Sequence, residues 1–134
     1  MNIEAFMICD AATDQHGKLN VLGAFDSIFA RGLPVVYPSM AVALRMRFPL
    51  EENGDHTLEV HFLDEDGNEI IRKLEGKVHV NVPASELSVA VNLILRLQNV
   101  MFRNWGCYSI NLEMDGEEKS VLPLTIRPSP HQSL

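Results

Sequence analysis

Cysteine is scarce in this sequence, and its two cysteines, Cys9 and Cys107, lie near opposite ends of the chain. Neither belongs to a C-x-x-C pair, so the sequence contains no zinc-ribbon or thiol–disulfide exchange motif. Glycine-based catalytic motifs are also missing: there is no G-x-S-x-G elbow, no P-loop and no dinucleotide-binding fingerprint. We therefore nominate no catalytic residue, expect no cofactor, and favour a non-catalytic protein.

Long apolar runs are absent as well. The longest apolar tract, residues 87–97, is interrupted by Ser88, Asn92 and Arg96, whereas a membrane span needs about 20 consecutive apolar residues. The first ten residues lack the basic start and apolar core of a secretory signal, because Glu4 interrupts them. We therefore expect a cytosolic protein with reduced cysteines and no membrane partner.

Positive charge is sparse. The 134 residues include 11 Lys and Arg against 18 Asp and Glu, which gives a formal net charge of -7. A polyanion would be repelled by such a chain, so nucleic acid is not an expected partner. The hydrophobic content of 46% is typical of one globular domain and argues against disorder.

What the sequence does contain is apolar residues at every second position. The alternation is clearest in residues 40–48 and 87–97, and it recurs in 58–62, 78–82 and 108–114. A helix would need spacings of three and four instead. We predict an all-β protein, an antiparallel β-sandwich of about eight strands, immunoglobulin-like or jelly-roll-like, with little or no helix.

The domain prediction is a single sandwich over residues 1–127. Residues 128–134, which are rich in proline and polar side chains, are predicted to form a flexible tail. Asp115 and Gly116 are a typical two-residue hairpin turn between the last two strands.

Five segments give the sequence a recognisable resemblance. They are CDAATDQHGKLNVLGAFDSIFA, MAVALRMRF, LDEDGNEI, VNLILRLQNVMF and GCYSINLEMDGEEKSVLPLTI. Together they resemble a bacterial family of small, single-domain, all-β proteins of unknown function, over residues 3–127. The resemblance implies the fold, and it implies no activity, cofactor or catalytic residue.

The start of that motif contains two carboxylates and an imidazole, those of Asp10, Asp14 and His16. Such groups could hold a divalent cation, since oxygen ligands suit calcium or magnesium and histidine suits zinc. Alternatively, Asp10 ends a strand and residues 14–17 make a four-residue turn with Gly17 in the left-handed conformation. We favour the turn and retain the metal site as an alternative.

Other candidate ligands are weaker. The acidic segment 64–69 could bind calcium, but its composition is also that of a solvated hairpin tip, which we favour. His61 and His79 lie on polar strand faces and would approach each other if their strands paired. A zinc site there would need a third ligand, which the sequence does not identify.

Three arginines are predicted to share an outer sheet surface. Arg45 and Arg47 lie on the outer face of one strand, and Arg96 lies on the outer face of another. Neighbouring strands would combine them into a basic patch able to bind an acidic partner, a carboxylate or a phosphate. The alternative, which we favour, is cross-strand pairing with Glu59 or Glu113.

Several apolar residues fall opposite the main apolar sets, namely Phe6, Ile8, Leu22, Ile28, Phe29 and Ile94. Either a loop at residues 30–39 covers them, or a second copy of the chain does, which makes a homodimer possible. We expect a protein partner or self-association. The function predicted from the sequence is a cytosolic binding or interaction module. The alternatives are a metal-dependent hydrolase or metal-binding protein using Asp10, Asp14 and His16, and a structural subunit of a larger assembly.

Overall fold

Nine β-strands and one short 3-10 turn make up the fold. A computed structural model describes residues 1–130 of the chain. The strands are β1 (Asn2–Gln15), β2 (Lys18–Ala24), β3 (Ser27–Ala30), β4 (Val35–Pro49), β5 (Gly54–Leu63), β6 (Leu74–Val80), β7 (Ser88–Phe102), β8 (Gly106–Met114) and β9 (Glu117–Pro128). The 3-10 turn spans Leu50–Glu52. The all-β prediction is confirmed, and no helix among residues 1–130 is long and apolar enough to cross a membrane.

The strands form two sheets, consistent with a β-sandwich. One sheet has the order β2-β1-β4-β7 and the other has the order β3-β9-β8-β5-β6. Every pair is antiparallel except β3 with β9, which is parallel. The predicted antiparallel sandwich is thus confirmed, with this one parallel pair as an addition. The apolar run 18–30 does not form one strand, because it crosses between the sheets after Ala24.

The core fills the space between the sheets. Alternate residues of β4 point inward from one side, and alternate residues of β5 and β8 meet them from the other. The largest fully buried side chains of these strands are Met40, Leu44, Met46, Phe48, Leu58, Phe62, Ile110 and Leu112. Each such side chain contributes roughly 1.5–3 kcal/mol when it leaves water. Phe102 and Tyr108 also pack edge to face, with ring centroids 5.1 Å apart.

A register shift in β1 changes which of its residues face the core. The shift lies between Ile3 and Ala5, and one extra residue exchanges the two faces of a strand. Beyond it, Ile8 is buried in the main core, whereas Cys9 is buried on the outer side of the sheet. Cys9 is therefore a small buried residue of a second, smaller core.

That second core lies on the outer face of the four-stranded sheet. Cys9, Ala12, Ala41 and Ala43 are buried there, and burial raises the pKa of the Cys9 thiol. Around them pack Met7, Leu19, Val21 and Ile94. Leu19 and Val21 come from β2, so the β1–β2 hairpin contributes the cover of this face.

The remaining apolar residues have mixed positions. Ile28 is buried and Phe6 is half-buried against the main core, whereas Leu22 and Phe29 are exposed. Of the segment predicted as a covering loop, residues 30–39, only residues 31–34 connect strands; residues 35–39 begin β4 and pair with the end of β7, where Val35 lies opposite Phe102.

The last strand extends past residue 127, into the segment predicted as a tail. β9 continues to Pro128, and the Ser129 amide donates a hydrogen bond to the Ala30 carbonyl at 2.8 Å. The predicted tail thus starts inside a paired segment. Its last residues, 131–134, lie outside the described part of the chain, and its flexibility stays a prediction.

Candidate functional site

The β1–β2 turn has the geometry expected of a two-residue hairpin loop. Gln15 pairs with Lys18, and His16 and Gly17 between them have φ values of 53° and 81°. Two positive φ angles in succession define a type I′ turn. The Asp14 carboxylate accepts a hydrogen bond from the Gly17 amide at 2.9 Å. The turn interpretation is confirmed, one residue further along than predicted, but Asp10 does not end the strand, because β1 continues to Gln15.

Asp10 serves a different local purpose. It accepts a hydrogen bond from the Tyr37 hydroxyl at 2.5 Å, and burial together with this carboxylate raises the pKa of Tyr37 to about 12. Asp10 and Asp14 are four residues apart on one strand, which corresponds to about 13 Å. The structure does not bring Asp10, Asp14 and His16 together, and metal binding by these three residues stays a prediction.

The three arginines do share the outer face of the four-stranded sheet, which we call the arginine face (Arg45, Arg47 and Arg96). Glu4, on the neighbouring strand β1, accepts hydrogen bonds from Arg45 Nε at 3.0 Å and from Arg47 Nε at 2.7 Å. The arginines lower the pKa of Glu4, with the Arg47 hydrogen bond as the largest cause. Cross-strand pairing was the favoured interpretation, but its partner is Glu4 and not Glu59 or Glu113, which belong to the other sheet.

The arginine face and the β1–β2 turn meet each other. Arg45 and Asn92 both donate to the Gly17 carbonyl, at 3.1 and 3.2 Å. Arg96 donates to the Ala12 carbonyl at 3.4 Å. The two predicted candidate sites are thus one structure, in which the guanidinium groups hold the hairpin against the sheet. Most of their donors are occupied inside the chain.

The acidic segment 64–69 also forms a turn. The Asp64 carboxylate accepts hydrogen bonds from the amides of Asp66 and Asn68, at 3.0 and 2.8 Å. Gly67 takes a left-handed φ of 81°, and Leu63 bridges Glu69 across the turn. The tight-turn interpretation is confirmed.

A different cluster brings ligand-type side chains together on the outer face of the five-stranded sheet. We call it the histidine–glutamate cluster: Glu59 and His61 on β5, Glu113 on β8, and Glu69 in the segment that follows β5. Of the residues described, Glu59, His61 and Glu113 are the set whose ligand atoms all lie within 4.8 Å of one another.

Strand pairing explains this arrangement. Glu59 and His61 are two residues apart on β5 and so share a face. Glu113 lies directly opposite Glu59 in the β5–β8 register. His61 Nε2 is 3.2 Å from a Glu59 oxygen and 3.7 Å from a Glu113 oxygen. Its other nitrogen, Nδ1, pairs with Glu69.

The electrostatics of the cluster are dominated by carboxylates. The hydrogen bond with Glu69, followed by that with Glu59, raises the pKa of His61 against the opposing effect of burial. Lys73 donates to Glu59 at 3.2 Å, and this bond is the largest cause that lowers the pKa of Glu59. Glu59 also faces Glu75 on its other side, so three glutamates stand in a row across the sheet.

An amide oxygen beside the cluster has no partner. Asn111 lies directly opposite His61 in the sheet, and its Nδ2 donates to Glu118 on β9 at 2.9 Å. That bond turns Oδ1 away from β9. Asn111 Oδ1 is buried and has no hydrogen-bond partner within residues 1–130. A buried acceptor without a donor is unfavourable. A further group that donates to Asn111 Oδ1 would remove this cost.

The sequence offers two members of this cluster as candidate ligands, His61 and, within the acidic segment 64–69, Glu69, but in two separate sites. His61 was weighed together with His79, but the structure pairs His79 with Asp55 at 2.6 Å, away from His61. The missing signal was the E-x-H spacing of Glu59 and His61, which places both on one strand face. Glu113 could be found only from the β5–β8 register.

Comparison with known proteins gives a family and no activity. No curated protein matches the chain. Residues 4–127 match a family of unknown function, DUF6941, which confirms the resemblance to a family of small proteins without an assigned function. The chain therefore belongs to the family of unknown function DUF6941.

Proposed function

We propose that the protein is a binding module whose ligand is a divalent transition-metal ion such as Zn²⁺ or Mn²⁺. The observation that carries the proposal is the convergence of one imidazole and two carboxylates, those of His61, Glu59 and Glu113, within 4.8 Å. Imidazole favours transition metals over calcium, and carboxylates add the negative charge that a dication requires.

The spacing of the ligand atoms suits such an ion. Zinc lies about 2.0–2.2 Å from nitrogen and oxygen ligands, so two ligands of a tetrahedral site are separated by roughly 3.3 Å. His61 Nε2 lies 3.2 Å from the nearest Glu59 oxygen and 3.7 Å from the nearest Glu113 oxygen. Small side-chain rotations would bring all three to bonding distance.

The second nitrogen of His61 is already oriented. In protein metal sites the ligating histidine donates its other N–H to a carboxylate or carbonyl, which sets the tautomer and the ring orientation. Glu69 takes that role at Nδ1, which leaves Nε2 available to the metal. Lys73 engages the Oε1 atom of Glu59 and leaves Oε2 toward His61.

We also place this module in the cytosol. Cys9 is buried and Cys107 is exposed, and both are free thiols. Free thiols are expected where the environment is reducing.

Metal titration of the EDTA-stripped protein tests the function. We expect one Zn²⁺ or Mn²⁺ to bind per chain by calorimetry, and a metal concentration of a hundred times Kd to add about 2.7 kcal/mol to the free energy of unfolding. His61→Ala should abolish binding. Because the pKa of His61 is raised, we expect affinity to fall as the pH is lowered and the imidazole becomes protonated.

Two variants serve as matched controls. His79→Ala removes an exposed histidine that also pairs with an aspartate on the same sheet, and Asp14→Ala removes a ligand of the alternative site in the β1–β2 turn. Both should bind metal normally. Binding that survives His61→Ala, or that is lost in Asp14→Ala, would refute the assignment, and the second result would favour the turn.

A further inference from the structure

β7 is the longest unprotected edge of the molecule. It is the last strand of the four-stranded sheet and pairs with β4 through 14 positions without a bulge. Among the described residues, its other side makes no strand pairing. A strand in this position presents a row of free amide and carbonyl groups to any chain that can align with it.

The other three edges carry the features that normally prevent such pairing. β3 has four residues. β2 has Lys18 at its start and Gly23 at a left-handed φ of 68°, which bends it. β6 alternates Glu75, Lys77 and His79 along seven residues. Short length, bends and charges all discourage edge-to-edge association.

β7 has none of these protections over residues 88–95. This segment contains no charged residue, no proline and no glycine. Its inward side chains, Val89, Val91, Leu93 and Leu95, are only half-buried although they pack against the main core. The core is therefore incompletely closed along this edge, and one more strand would remove its remaining apolar surface from water.

We propose that the edge pairs with the same strand of a second copy of this chain, antiparallel, about a two-fold axis at Asn92. The two four-stranded sheets then become one continuous sheet of eight strands. With the axis at Asn92, the outer faces of the two sheets lie on the same side of the joined sheet. Arg96 of each copy then lies opposite Ser88 of the other copy. No like charges face each other across the junction, which matters because each chain has a net charge of -7.

A self-complementary strand is the occupant that the edge fits. A closed two-fold contact uses the same patch twice, and the uncharged segment is centred close to Asn92. An acidic or basic peptide would gain nothing from the neutral segment 88–95. The two inward residues beside the axis, Val91 and Leu93, would then lie opposite each other across the junction and bury apolar surface.

Solution mass measured in EDTA tests the dimer independently of metal binding. We expect twice the 15.0 kDa chain mass by light scattering. Leu93→Lys should weaken dimerisation at least tenfold, since the amine can reach water at an open edge but is buried between two copies. Leu74→Lys, an equally half-buried leucine on β6, is the matched control and should stay dimeric.

Cross-linking tests the register even if Leu93→Lys fails to fold. In a Cys107→Ser background, Asn92→Cys should form a disulfide between copies on mild oxidation, because residues opposed across antiparallel strands have Cα atoms about 4.5–5.5 Å apart. Lys77→Cys should not. A wild-type mass of one chain at high concentration, or a dimer whose Asn92→Cys variant does not cross-link, would overturn the proposal.

Discussion

The two outer sheet faces of this protein have opposite charge balances and opposite degrees of cover. On the arginine face, Arg45 and Arg47 share the carboxylate of Glu4, and Arg45 and Arg96 hold the β1–β2 hairpin over buried alanines. On the five-stranded sheet, the histidine–glutamate cluster is half-buried and its carboxylates outnumber the cations. The arginine face therefore has an excess of positive charge, and each of its arginines already donates a hydrogen bond within the chain.

The difference supports the histidine–glutamate cluster over the arginine face as the proposed ligand site. Arginine donors that already bind carbonyl and carboxylate oxygens gain little from an anion. Glu59, in contrast, lies between Glu75 and Glu113 on its two neighbouring strands, and like charges placed directly opposite destabilise a sheet. A bound dication would relieve that repulsion.

The largest expected effect comes from placing a charge beneath the hairpin. Ala43→Asp introduces a carboxylate where the side chain is 0% exposed, and we expect a loss of about 3 kcal/mol or more, enough to unfold much of the protein. Val121→Asp makes a comparable change on the other outer face, where the residue is 48% exposed. It should cost about 1 kcal/mol or less. Urea denaturation of both variants measures the difference. Equal losses of unfolding free energy would contradict the conclusion that the outer face at Ala43 is covered and the outer face at Val121 is open.

The next prediction is that removing a carboxylate changes the melting temperature differently on the two faces. Glu4→Gln leaves Arg45 and Arg47 without their carboxylate, so the melting temperature should fall. Glu113→Gln removes a like charge opposite Glu59, so the melting temperature of the metal-free protein should stay the same or rise. Calorimetric melts at neutral pH and low salt measure both. A fall of similar size in both variants would show that the two faces do not differ in charge balance.

A smaller effect should appear as opposite pH dependences. The pKa of Glu4 is lowered from 4.5 in the folded protein. The stability that this shift contributes is present above pH 4.5 and is lost as the pH falls through the folded-state pKa. The pKa of His61 is raised from 6.5 in the folded protein. The stability that this shift contributes is present below pH 6.5 and is lost as the pH rises through the folded-state pKa. Melting curves of metal-free protein between pH 3 and 9 should therefore lose part of the acid slope in Glu4→Gln and part of the neutral slope in His61→Gln.

The smallest effect concerns the hairpin contact farthest from the turn. Arg96 makes one long hydrogen bond to the Ala12 carbonyl, so Arg96→Gln should change the free energy of unfolding by about 0.5 kcal/mol or less. Hydrogen exchange should nonetheless quicken in residues 11–21. Lys77→Gln, on the other sheet, should leave those amides unaffected, and an equal change in both would argue against the contact.

Most strands could be predicted because alternation is a local property. β5, β6 and β8 follow their apolar period closely, and the turns at Gly17 and Gly116 use glycine where φ is positive. β1 could not be assigned to a face, since its register shift exchanges the faces after Ile3. Alternation alone does not separate β3 from β2, because the sequence does not mark the crossing to the other sheet.

The candidate site was predictable only in part, because strand alternation is local whereas strand pairing is not. Glu59 and His61 share a strand face through their spacing alone, but Glu113 and Asn111 reach them only because β8 pairs with β5 in one register. The arginines were assigned correctly to one face, yet their partner Glu4 depends on β1 being the neighbour of β4.

The sequence by itself determined the fold class, most strands and turns, and the absence of familiar catalytic motifs, because each of these depends on residues a few positions apart. The tertiary structure decided which strands are neighbours, and so it decided which side chains meet. It placed the β1–β2 hairpin in contact with Arg45 and Arg96. It also brought Glu59, His61 and Glu113 together and left β7 at the edge of its sheet. Strand pairing joins residues far apart in the chain, and their juxtaposition arises only when the whole sandwich closes around its core.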